Sequence, residues 1–330
     1  MRDLWPATAF GGQNDDGRME TKLTIAMVFP GQGSQSQGMQ ADLASEYPVV
    51  QETYAEASQV LGYDLWQLVQ NGPVERLGET VVTQPAMLTA GVAAYRVWNM
   101  AGGSAPSQMA GHSLGEYTAL VCAGAVGFGD AMRVVKRRSE LMQEAVPVGI
   151  GAMAAILGLD DDTIVSLCDE ASTIGIAEPV NFNSPGQVVI AGHATAVAQA
   201  VEYAKEHGAR RAILLPVSVP SHSSLMREAG LSLLATLDAT EFKTPDITVV
   251  SAATAEPYVE AADIRSKLSA QVYSPVLWVR TIEAMIAAGA SSMIECGPGK
   301  VLAGLVRRIA KGTPVSFIDN TDSLQKALQG

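Results

Sequence analysis

Gly111-His112-Ser113-Leu114-Gly115 leaves this chain few folds to choose from. It is a G-x-S-x-G sequence set between a short apolar run, Gln108 to Ala110, and helical sequence from about Ser113. A serine at such a junction sits on a sharp, strained turn, and neighbours without a Cβ let the helix close against the strand behind it. The helix then aims its free N–H groups and positive dipole end at the serine, favouring an oxyanion formed there. Ser113 is therefore the candidate nucleophile on a strand-turn-helix unit.

The same alternation recurs along the chain. An apolar strand from Leu23 to Phe29 stops at Pro30, and the loop GQGSQSQG leads to helical sequence from Asp42; another helix spans about Asp130 to Ala145. Strands separated by helices predict a largely parallel sheet. Between Val148 and Val217 the order changes to a strand (Gly151 to Leu157), a helix (Asp161 to Ala171) and two strands split by an Asn183-Ser184-Pro185-Gly186 turn. A helix (Ala194 to His207) and a strand (Arg210 to Val217) complete βαββαβ, a ferredoxin-like unit. The fold class expected is α/β: a large hydrolase-like parallel-sheet domain over 21–147 and 218–330, with an inserted small domain at 148–217. Aromatic content of 5% beside 48% hydrophobic residues suits close helix-on-sheet packing. Residues 1–20 read as a mobile leader.

A net charge of -12 repels phosphate backbones and anionic membranes, so neither nucleic acid nor a lipid surface is expected as partner. Three scattered cysteines, Cys122, Cys168 and Cys296, offer no CxxC, no paired framework and no zinc spacing. With no apolar run of membrane length and no signal-peptide pattern near the start, a cytoplasmic protein is expected.

Only four histidines compete for the role of base. His207 ends a helix and His193 follows a strand at a turn, both ordinary structural places. His112 adjoins Ser113, but neighbouring side chains at a strand end point apart, so it reads as pocket lining. His222, on the loop leaving the small domain, is the better base. Helical periodicity then places Arg138 in the middle of the apolar stripe Ala131, Val134, Val135, Leu141, Met142 and Ala145. A guanidinium there needs either an internal carboxylate or an acidic substrate gripped by two parallel hydrogen bonds, and the stripe alone leaves both open.

FPGQGSQ (29–35), GHSLGEYTAL (111–120), RSELMQEAVP (138–147), NFNSPGQVVIAG (181–192), PVSVPSH (216–222) and QVYSPVLW (271–278) together resemble the malonyl-CoA:acyl-carrier-protein transacylases of bacterial fatty-acid synthesis. The resemblance runs from about Ile25 to the C-terminus. It implies Ser113 as the acylated serine and His222 as its partner. It also implies an oxyanion hole from the Gln32 and Leu114 backbone N–H groups, a His-orienting backbone carbonyl on Gln271, and Arg138 as ligand of the substrate carboxylate. Asn181, Asn183 and Gln187 fall near the family's coenzyme A path, although a turn of Asn, Pro and Gly has the same look without a ligand. The family manages with a Ser-His pair, and no Asp or Glu after the elbow stands out as a third member. Ser139 follows Arg138 where related sequences often carry glycine, at a position read as exposed.

The activity implied is ping-pong transfer of a malonyl group from malonyl-CoA to the phosphopantetheine thiol of acyl carrier protein, with no metal or other cofactor. A trans-acting acyltransferase of a polyketide pathway is the alternative. Because acyl carrier proteins are acidic and this chain is too, docking needs a local basic patch, for which Arg210, Arg211, Arg307, Arg308 and Lys311 are candidates. An esterase of α/β-hydrolase type calls for a Ser-Asp-His order and an HGGG-like loop, which the sequence lacks. Gly297-Pro298-Gly299-Lys300 lacks the leading glycine spacing and the Ser/Thr of a P-loop.

Overall fold

A computed structural model describes residues 24–217 and 219–329, so the expected leader and Leu23 lie outside the described residues. Nine strands are described: β1 (Ile25–Phe29), β2 (Gln108–Gly111), β3 (Gly151–Leu157), β4 (Ala177–Ser184), β5 (Gln187–His193), β6 (Arg211–Leu214), β7 (Thr248–Val250), β8 (Ser292–Cys296) and β9 (Val315–Ile318). They form two sheets, a parallel one ordered β7-β2-β1-β8-β9 and an antiparallel one ordered β4-β5-β3-β6. The α/β class and the ferredoxin-like order both follow.

Helices cover both faces of the parallel sheet, so its strands are apolar on both sides. Met27 and Phe29 of β1 join one core cluster with Met109 and Ile294, beneath helix Thr80–Met100; Ala26 and Val28 join another with Ala110, Met293 and Trp278. Alternate residues of one strand thus feed two cores. In the smaller sheet, Ala154, Ile156, Val188 and Ile190 pack under helices Asp161–Ala171 and Ala194–Glu206. The opposite face presents Met153 and Val189 to a cavity beneath it. Backbone bonds fasten the joint: Phe182 N–H donates to Val276 O at 2.9 Å, and Val276 N–H to Val180 O at 2.8 Å.

Several boundaries shift. Asn183 and Ser184 belong to β4, leaving Pro185-Gly186 to make the turn, with Gly186 at φ 70°. A two-residue connection is enough where glycine takes the left-handed position. β6 is shorter than read, and the helix after Ser113 begins at Gly115.

Candidate active site

The elbow is built on its glycines. β2 ends at Gly111, helix Gly115–Cys122 starts at once, and Ser113 between them has φ 52°, a left-handed conformation costly for a side chain with a Cβ. A Cβ on Gly111 would lie 1.8 Å from the Gly115 carbonyl carbon, and one on Gly115 would lie 2.0 Å from Phe29 O. The G-x-S-x-G spacing is thus the footprint of a helix pressed against the ends of β1 and β2. Gly115→Ala is expected to cost about 3 kcal/mol or more, visible as a lower Tm, because backbone and not a flexible side chain must move. An unchanged Tm would show that the elbow relaxes freely.

His222 sits on the loop before the short helix Ser224–Met226, with φ 68° and 4% exposure. Its Nδ1 is 2.8 Å from the Gln271 backbone oxygen and its Nε2 is 2.7 Å from Ser113 Oγ. A carbonyl only accepts, so Nδ1 carries the proton and Nε2 is free to accept from the serine. Burial first, and the Arg138 charge second, pull the imidazole down to about 3. It is therefore neutral throughout the neutral range, with Nε2 unprotonated.

That shift fixes the sign of two pH effects. The fold excludes a proton that the unfolded histidine binds, so its stabilising contribution is whole above about 6.5 and is lost as pH falls toward 3. An anion bound on Arg138 cancels the second cause and raises the imidazole pKa. Single-turnover acylation should show no inflection near 6.5 in kcat/KM, while the acid limb at saturating acyl donor should lie at higher pH. Coincident limbs would separate Arg138 from His222 electrostatically.

Arg138 lies on helix Phe128–Glu144 with Ala131, Val134, Val135, Leu141 and Met142 buried around it, and is itself 1% exposed. Its Nη1 donates to Gln84 Oε1 at 2.7 Å; its Nη2 donates to Gln271 Oε1 at 2.9 Å and to Ser113 Oγ at 3.3 Å. The guanidinium carbon stands 5.5 Å from the Tyr117 ring centroid. Among the described residues, no carboxylate oxygen lies within 4.0 Å of it, and Nε has no partner. The internal salt bridge left open by the sequence is absent from these residues, and burial pulls the Arg138 pKa down. Ser139 corrects the sequence reading: it is fully buried, and its Oγ donates to Lys136 O.

Gln32, Leu114, Ser113, Arg138, His112, His222, Asn181, Asn183 and Gln187 all line one cavity of about 580 Å³ between the two sheets. Among the described residues, neither the Gln32 nor the Leu114 N–H donates to another backbone group. His112 Nε2 is 2.8 Å from Asn183 Oδ1, and its ring packs edge-on to Trp278, so it lines the wall and leaves Ser113 to His222. His193 and His207 are structural: Nδ1 of the first accepts the Ile176 N–H, and Nδ1 of the second lies 2.8 Å from Tyr203 O.

Two buried groups escaped the sequence reading, Gln84 and Glu116. Gln84 holds the arginine fork, while Glu116 bonds Tyr258 and Gln271. The Gly297-Lys300 segment does open a helix, Val301–Ile309, as a P-loop would. Its first-turn Ala303 N–H is already taken by Glu295 Oε2 at 2.7 Å, a carboxylate where a phosphate would bind. The exposed Arg210, Arg211, Arg307, Arg308 and Lys311 lie outside the cavity. Among the described residues, no cluster of His, Cys, Asp or Glu is placed to hold a metal, and no helix is long and apolar enough to cross a membrane.

The profile of the acyl transferase domain family matches residues 26–322. The malonyl CoA-acyl carrier protein transacylase of Escherichia coli (strain K12) is 53% identical over 305 residues, 92% of this chain and 99% of that protein. This chain belongs to the malonyl-CoA:acyl-carrier-protein transacylase family. Among solved members, an acyl carrier protein S-malonyltransferase from Vibrio cholerae superposes with a TM-score of 0.89 at 52% identity, covering 92% of this chain and 99% of that one. A transacylase bound to a holo type II polyketide-synthase acyl carrier protein superposes with a TM-score of 0.91, also at 52% identity, covering 93% and 99%. The transacylase fold therefore accounts for both sheets and for the cavity between them.

Proposed function

We propose that this acyltransferase moves the malonyl group of malonyl-CoA to the phosphopantetheine thiol of acyl carrier protein through a malonyl ester on Ser113. The observation that carries the reading is Arg138, buried without a carboxylate partner and 3.3 Å from Ser113 Oγ. A malonyl group has its carboxylate and its thioester carbonyl separated by a single methylene. Seating the acid on Arg138 therefore brings the carbonyl to the serine, a match a longer diacid would overshoot.

His222 Nε2 takes the Ser113 proton as Oγ attacks the thioester carbonyl, and the Gln32 and Leu114 N–H groups receive the oxyanion. Collapse breaks the C–S bond, and His222 returns the proton to the coenzyme A thiolate. The phosphopantetheine thiol then gives its proton to His222 and attacks the ester, and Ser113 Oγ leaves with that proton. Gln271 O holds the imidazole tautomer throughout. This chemistry calls for no metal or organic cofactor, and a cytoplasmic setting suits it. Incubation with malonyl-CoA and carrier protein, followed by mass spectrometry, should find the group first on Ser113 and then on the carrier. Absence of both adducts would reject the reading.

The same steps serve a polyketide pathway, and the relative solved with a polyketide carrier favours keeping that second reading. Either carrier meets an acidic chain, so attraction calls for local basic residues, and the exposed Arg210, Arg211, Arg307, Arg308 and Lys311 are the candidates. Charge reversal at Arg211 or Arg308 should raise the KM for carrier by about 10-fold while leaving malonyl-CoA kinetics alone. Equal effects on both substrates would remove the patch from docking.

A further inference from the structure

The steps above leave two fully buried carboxylates unused: Glu295 holds the first turn of helix Val301–Ile309, while Glu116 borders the site. Glu116 stands one turn after Ser113 on helix Gly115–Cys122 and is 0% exposed. Its Oε1 accepts from Tyr258 Oη, and its Oε2 accepts from Gln271 Nε2 at 2.8 Å. Gln271 Nε2 also donates to Ser113 O at 2.8 Å, while Gln271 Oε1 accepts from Arg138 Nη2. One amide side chain thus joins the elbow backbone, the arginine and the carboxylate, and its own backbone oxygen holds His222.

A primary amide has one end that only donates and one that only accepts. Which end meets Arg138 is settled by what meets the other. Glu116 and the Ser113 carbonyl are both acceptors, so together they demand the NH2 group and turn Oε1 to the guanidinium. A flipped amide would set donors against donors at Arg138 and two acceptors against Oε1, in a site too dry to screen either clash. The Ser113 carbonyl alone exerts half of this demand.

We propose that Glu116 is a positioning residue for Arg138: through the Gln271 amide it fixes the arginine fork beside Ser113, and so helps set the preference for an acyl group that ends in a carboxylate. The inference rests on the reading of Arg138 as the carboxylate grip. A merely structural role, satisfying Tyr258 and packing the helix, would alter stability and all activities alike.

The test is a double-mutant cycle read as the ratio of malonyl-CoA to acetyl-CoA kcat/KM. Glu116→Gln keeps the size but can offer an NH2 to Gln271 and permit the flip. The ratio should fall by about 10-fold or more, mainly through the malonyl-CoA KM, with acetyl transfer held within about 3-fold. In an Arg138→Ala background the same change should move the ratio by less than about 2-fold, since the route to the substrate is gone. An unchanged ratio, or an equal fall in both backgrounds, overturns the proposal. Should Glu116→Gln fail to melt cooperatively, Tyr258→Phe removes one of the donors that hold the carboxylate, beside Ser251 and the Ala252 N–H, and is read in the same cycle. It should lower the ratio by roughly 3-fold and only when Arg138 is present; otherwise the proposal again falls. Wild type supplies the separate control. No malonyl preference there would sink the Arg138 reading itself, whereas preference retained in both variants sinks only the role of Glu116.

Discussion

Ser113→Ala is expected to abolish the malonyl adduct and to slow transfer by about 10⁴-fold or more, the scale reached when a covalent route is removed and only binding and the oxyanion donors remain. The fold should survive. Alanine meets the same left-handed strain at φ 52° as serine, and the substitution removes only the 2.7 Å contact to His222 and the long one from Arg138. Intact-mass measurement after malonyl-CoA addition, followed by peptide mapping, is the check. A malonyl group on any other residue of the variant would displace Ser113 from the reaction.

Arg138→Ala is expected to lower kcat/KM for malonyl-CoA by about 10²-fold or more, as loss of roughly 3 kcal/mol of charge-assisted bonding implies. Acetyl-CoA should fare differently. In the wild type it leaves a buried cation facing only neutral acceptors from Gln84, Gln271 and Ser113, so its use should hold steady or rise once the charge is gone. Arg138→Lys should rescue incompletely, because an ammonium cannot span the same acceptors with a planar fork. Stability is the discriminating companion measurement. No carboxylate lies within 4.0 Å among the described residues, and Glu116 is reached only through the Gln271 amide, so removing Arg138 breaks no direct ion pair and Tm should fall by less than activity does. A parallel fall in Tm and both activities would make Arg138 a structural residue.

The features legible in the sequence are those written in local spacing. The glycines at 111 and 115 report a close approach of backbones, and the stripe around Arg138 reports which way a helix faces. What stayed hidden depends on partners far along the chain. Ser139 falls outside the apolar stripe that the sequence displays, yet this helix is covered by both Thr80–Met100 and Arg227–Asp238, which widens its buried face. Glu116 does not stand out as a third member because its link to His222 runs through Gln271, whose distance in sequence no local pattern encodes. A signal was available all the same. Helix Gly115–Cys122 is apolar on nearly every side, so its one acid had nowhere to go but inward. Gln84, on the equally apolar helix Thr80–Met100, follows the same logic.

The order β7-β2-β1-β8-β9 has a consequence for how the chain is made. β1 emerges from the ribosome early, yet one of its edges waits for β8, where Ile25 meets Ser292. Until then a strand of Ala26, Met27, Val28 and Phe29, apolar on both faces, has an open row of backbone donors and acceptors. Synthesis at about 5–20 residues per second leaves that edge uncovered for roughly ten seconds or more. The nascent protein is thus most open to edge-to-edge pairing in the interval before β8 appears, and the exposed edge is the one that ends in the middle of the finished sheet.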